Sequence, residues 1–156
     1  MKLAGGCRCG ALRYAFEGDL GPVANCHCAF CRRVHGAPFT TIVFVSRKAF
    51  AWEPGSAEPS RWTTPAGNVR QFCGTCAAPI CNYSTAVDLA ALVVASLPDG
   101  QQPRPWLHVN TESMAPHHEI RDELPRFPAW PSADELRALA RGRADVWLPE
   151  EVLRLL

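Results

Sequence analysis

The chain has 156 residues, the size of one domain with a real core, and 47% of them are hydrophobic. Sixteen Lys and Arg face 15 Asp and Glu, a net charge of +1, with no block of like charge along the chain. This balance argues against a nucleic-acid or membrane partner, and no window has the length of a transmembrane helix.

The opening Met1 to Gly6 lacks the apolar stretch of a signal peptide, so a cytoplasmic address is the expectation. Leu12 to Phe16 alternates apolar and polar residues and predicts a strand, turned at Glu17-Gly18-Asp19. Val23 leads into a group of cysteines. Phe30 to Val34 predicts a helical turn, stopped by Gly36 and Pro38. Phe39 to Val45, rich in Thr, Ile, Val and Phe, is the clearest strand. Short strands are predicted at 50–52, 60–63, 69–72, 80–83, 89–97 and 106–109. A proline-rich bridge, Pro125 to Pro131, precedes Ser132-Ala133-Asp134-Glu135, a capping box that opens a helix from Ala133 to Arg141, closed by Gly142. Pro149 opens a last helical turn or two. The whole reads as mainly β with a short helical C-terminal tail.

Eight cysteines stand out. Outside an export pathway, clustered cysteines more often hold metal than form disulfides. Cys7-Arg8-Cys9 and Cys73-Gly74-Thr75-Cys76 are two knuckles of two thiolates each, the set for one closed tetrahedral structural zinc. Gly10 and Gly74 allow tight turns there. Ordinary buried cysteines are the alternative. Cys26-His27-Cys28-Ala29-Phe30-Cys31 brings three thiolates together, and zinc held by three protein ligands with one open position is the arrangement of catalytic sites. Arg32 and Arg33 stand next to it, either to offset charge or hold a substrate carboxylate, or as solvated surface. Two other readings stay open: a second structural zinc closed by Cys81, His27 or His35, and redox chemistry at Cys28 and Cys31.

The series Gly6-Cys7-Arg8-Cys9-Gly10, Tyr14, Cys26-His27-Cys28-Ala29-Phe30-Cys31-Arg32, Gly36-Ala37-Pro38-Phe39 and Phe72-Cys73-Gly74-Thr75-Cys76 resembles the glutathione-dependent formaldehyde-activating enzyme family, which shares its domain with centromere protein V. The resemblance runs from about residue 3 to 128. It implies an Mss4-like β-tent zinc fold over 1–128, with 129–156 as a helical extension packed on it. It also implies two zinc ions, a structural one on Cys7, Cys9, Cys73 and Cys76 and a catalytic one on Cys26, Cys28 and Cys31. The implied activity is that of a carbon–sulfur lyase joining a small thiol such as glutathione to formaldehyde or a related carbonyl. A non-catalytic, zinc-stabilised protein-binding module is the alternative. The chain departs from the family after Cys76, where Ala77 stands in place of the usual Gly.

Cys81 sits in a predicted strand and reads as a buried apolar residue. His27 reads equally as ligand or as hydrogen-bonding support, and His35 lies over the site if the segment after Cys31 turns back. His117 and His118 read as surface or strand-end residues. Trp52, Trp62, Trp106, Trp130 and Trp147 read as core, with one of them walling a pocket.

Overall fold

The computed structural model describes residues 1–143 and 146–154. Its strands are β1 (Lys2–Gly6), β2 (Arg13–Glu17), β3 (Val23–Cys26), β4 (Thr40–Val45), β5 (Phe50–Trp52), β6 (Ser60–Thr63), β7 (Val69–Phe72), β8 (Pro79–Tyr83), β9 (Ala90–Val93) and β10 (Leu107–Val109). Three short helices join them: α1 (Ala29–His35), α2 (Ala133–Ala140) and α3 (Glu150–Leu153). The expectation of a mainly β fold holds. A small sheet has the order β1-β2-β5, and a large one β10-β3-β4-β9-β8-β7-β6. Neighbours run antiparallel, except that β10 lies parallel to β3.

β2 follows its alternating pattern: Tyr14 and Phe16 are buried while Arg13, Ala15 and Glu17 face out. β3, β9 and β10 are buried at every residue, so they lack that alternation. This is why β3 was not recognisable as a strand in the run that leads to Cys26. β1 was also missed, because it ends in two glycines. Gly5 is needed there: a Cβ would stand 2.5 Å from the Tyr14 hydroxyl and 2.6 Å from the Ser96 carbonyl. Through that gap the Tyr14 hydroxyl reaches Ser96 Oγ at 2.6 Å.

The predicted strand 89–97 is cut short at Val93, and Val94–Ser96 forms a 3-10 turn. The Ser96 hydroxyl donates to the Val93 carbonyl at 2.7 Å, a side-chain bond that competes with strand pairing. The helical turn predicted from Phe30 is a two-turn helix with Cys28 as its N-cap and Gly36, in the left-handed region, as its C-cap.

In the tail, the Ser132–Glu135 capping box forms, and α2 ends at Ala140 with Arg141 as its cap. Gly142, the residue expected to close the helix, takes φ +80° one residue past that cap, so the helix ends one residue early. Pro149 caps α3. The tail is tied to the β body: Trp147 N–H donates to the Leu20 carbonyl at 2.9 Å, and Asn110 N–H to the Ala129 carbonyl at 3.2 Å. Leu136 and Leu153 are buried in the same apolar cluster as the strands. Among the described residues, no helix is long and apolar enough to cross a membrane.

Candidate metal centres

Cys7 and Cys9 occupy the turn after β1, and Cys73 and Cys76 the turn joining β7 to β8. Their four sulfurs lie within 4.8 Å of one another. Cys9 Sγ is 3.4 Å from Cys7 Sγ and 3.7 Å from Cys73 Sγ. A group held here fastens the small sheet to the large one. Gly10, at φ +81°, makes the first turn, and Leu12 N–H donates to Cys7 Sγ at 3.2 Å. Ala77 closes the second turn at φ +59°, its N–H donating to the Cys73 carbonyl at 2.9 Å. That conformation costs a residue with a Cβ and would suit glycine better.

The inner cluster is built differently. Cys26 ends β3, Cys28 caps α1, and Cys31 lies in the first turn of that helix. Their three sulfurs also lie within 4.8 Å of one another. Cys28 Sγ accepts the Cys31 N–H at 3.2 Å, and Cys26 Sγ accepts from the Asn110 amide at 3.4 Å. The Cys26 thiol, then that of Cys31, stabilises the Cys28 thiolate and draws its pKa down to about 2. The same bond to Cys28, followed by that to Cys31, pushes Cys26 well up. Three thiols this close can all ionise only beside a cation. Both donor sets are therefore soft, convergent and suited to a metal ion.

Among the described residues, no fourth Cys, His, Asp or Glu joins the inner three. Cys81 lies apart on β8, buried, its thiol donating to Gln71 Oε1 at 3.2 Å. His27 is fully buried beside the cluster. Its Nε2 lies 2.8 Å from His108 Nδ1, and His108 Nε2 lies 3.0 Å from Asp122 Oδ1. Burial, then the nearby His108, draws the His27 imidazole down to about 4, so it is neutral near pH 7. His118 is neither on a strand nor a bare surface residue: its ring packs 5.6 Å from His27 and 5.3 Å from Phe39. His117 lies on the far side of α1, by Arg32 and Arg33. Arg32 Nε donates to the His27 carbonyl at 3.2 Å and Arg33 is exposed. Neither lines the cavities at the cysteines.

Two cavities meet at Cys31. One, of about 300 Å³, is lined by Cys31, His35, Trp62, Arg70 and Asn82 among others. The other, of about 460 Å³, touches Cys26, Cys28 and Cys31 and is walled by Trp130, Leu136, Trp147 and Leu148 of the tail. Trp62 is thus not core: it is 45% exposed and stands at the first cavity. Sequence reasoning missed Arg70, Asn82, His108, Asn110 and Asp122. A histidine between Leu107 and Val109 in an apolar strand was the one available signal.

Two sheets joined at one cysteine cluster, with a second cluster open to cavities, define a β protein with two thiol clusters that could each hold a metal ion. The family model for glutathione-dependent formaldehyde-activating enzymes matches residues 2–113, and the chain belongs to that family. Among solved structures it resembles the crystal structure of a Rhodobacter sphaeroides protein, a structural-genomics target, at 21% identity and a TM-score of 0.53. That likeness, over 65% of this chain and 93% of the other, is one of fold. No curated protein matches the chain.

Proposed function

We propose that this chain is a zinc-dependent enzyme that joins a small thiol, glutathione or a relative, to formaldehyde or a related carbonyl. The thiol sulfur adds to the carbonyl carbon and the thiol proton ends on the carbonyl oxygen. No electrons are exchanged, and the reverse reaction is a carbon–sulfur lyase step. Cys26, Cys28 and Cys31 hold the working ion, and Cys7, Cys9, Cys73 and Cys76 hold a structural one. Zinc at the inner site supplies Lewis acidity that favours the thiolate form of a thiol near neutral pH. The chain's own groups do the rest: the Asn110 amide and the Cys31 N–H fix two sulfurs by hydrogen bonds. The tail acts as part of the same unit, Trp130, Leu136, Trp147 and Leu148 walling the cavity.

The observation that carries this reading is the convergence of three sulfurs, without a fourth protein donor among the described residues, onto two cavities. The test is carbon NMR of labelled formaldehyde with glutathione and the purified chain. The expected result is that the chain speeds the approach to the hydroxymethyl thioether, and the Cys31→Ser variant does not. Equal rates with and without the chain would leave the binding-module alternative instead.

A further inference from the structure

The 300 Å³ cavity contains a guanidinium at the edge of the cysteine cluster. Arg70 on β7 stands directly opposite Asn82 on β8, so both side chains share one face. Two polar atoms there are buried without a hydrogen-bond partner among the described residues: Arg70 Nε and Asn82 Oδ1. A buried unpaired donor and acceptor are costly, and a pair of them lining one cavity suits a ligand that satisfies both. The guanidinium is held in place by aromatic packing. Its carbon lies 4.4 Å over the Phe30 ring, and Phe30 stacks on Trp62 at 5.4 Å with planes 6° apart. Phe30, Val34 and Trp62 are large apolar residues left exposed around this cavity. No Asp or Glu is among its described lining residues, and Arg70 Nη2 lies 3.9 Å from Cys31 Sγ.

We infer that Arg70 and Asn82 form a recognition site for a carboxylate-bearing thiol, the guanidinium taking the carboxylate and the Asn82 amide oxygen accepting an N–H or O–H of the same ligand. The inference rests on the thiol-activating reading above and names the residues that read the carboxylate of such a thiol. A guanidinium presents its N–H donors in the fork that carboxylates fit. Its distance to Cys31 lets a short ligand place its sulfur at the inner cluster while its carboxylate stays on Arg70. Arg70 is a specificity-determining residue, set beside Cys31 Sγ rather than acting on the reacting atoms.

Calorimetry on the full chain as purified tests this with mercaptopropionate and its neutral counterpart mercaptopropanol, and with butyrate, which has no thiol. The expected result is that mercaptopropionate binds about tenfold or more tighter than mercaptopropanol. Arg70→Met should remove that preference and Arg70→Lys should keep part of it. Equal affinities in the unmodified chain, or a preference that survives Arg70→Met, overturn the inference. Butyrate separates it from the reading it rests on. Binding of butyrate that depends on Arg70 supports the site even if no thiol chemistry occurs, whereas rapid turnover of both thiols alike supports the chemistry and sinks the site. Should Arg70→Met fail to fold, heteronuclear NMR of the unmodified chain decides: the Arg70 Nε–H resonance moves on butyrate titration, and an unmoved resonance rejects the proposal.

Discussion

His27 Nε2 and His108 Nδ1 lie 2.8 Å apart, joining the loop between Cys26 and Cys28 to the strand beside it. Asp122 extends the chain to the surface through His108 Nε2. The arrangement fixes the ring of His27, whose backbone N–H is already held by the Val109 carbonyl at 3.0 Å. His108→Ala leaves His27 with neither ring nitrogen paired in a site closed to water. The expected cost is about 3 kcal/mol in denaturant unfolding, with faster loss of the inner metal to a chelator. A variant that keeps both stability and metal retention shows that the histidine pair is idle.

The two cysteine clusters should fail differently. Cys76→Ser removes one sulfur from the cluster proposed to clip the sheets, and the cooperative thermal transition should collapse. Cys31→Ser should keep that transition but lower the metal content by one ion per chain. Thermal melts and elemental analysis read the two effects. Similar unfolding of both variants contradicts the division of labour.

Ala77 sits at φ +59°, where a Cβ is strained. Ala77→Gly should stabilise the chain by about 1 kcal/mol, less the entropy that glycine adds to the unfolded state. Chemical denaturation with the metal present measures it, and destabilisation would show that the turn is not strained.

Asp88 accepts from Ser46 Oγ at 2.7 Å and from Lys48 N–H at 3.1 Å. Burial opposes its ionisation, but the Ser46 bond, then the Lys48 N–H and ammonium, hold its carboxyl below the usual range. A depressed folded-state pKa gives stability that is present above the unfolded value and lost as pH falls through the folded one. Asp88→Asn should therefore cost about 1 kcal/mol at neutral pH and make the loss of stability below about pH 4 shallower. Unfolding free energies across that range test the slope, and parallel curves would exclude the effect.

Trp130 packs 5.1 Å from Phe44 and walls the larger cavity. Trp130→Ala should cost about 2 kcal/mol, since the side chain is half-buried, and should raise KM for the thiol more than it lowers kcat. A change in kcat alone would place the tail's effect elsewhere.

The spacing of the cysteines determined the inner trio and the two outer pairs, because C-x-C and C-x-x-C runs bring sulfurs together through local turns, but Cys7 and Cys9 meet Cys73 and Cys76 only because the two sheets pack together. Tyr14 and Phe16 declared β2 by alternation, and Ser132 with Glu135 declared α2 by its cap, both local effects. β3 was silent because a strand buried on both faces has no period to read. Arg70 and Asn82, twelve residues apart with nothing unusual around them, became opposite only through the β7–β8 pairing. Arg32 and Arg33, adjacent to the cysteines in sequence, line neither cavity at the cluster, while Arg70 reaches Cys31 from β7 of the same sheet. Which cysteines pair locally is a short-range property that sequence carries, whereas the meeting of the outer pairs and the charges and walls around both clusters come from strand register and packing, which only the tertiary structure decides.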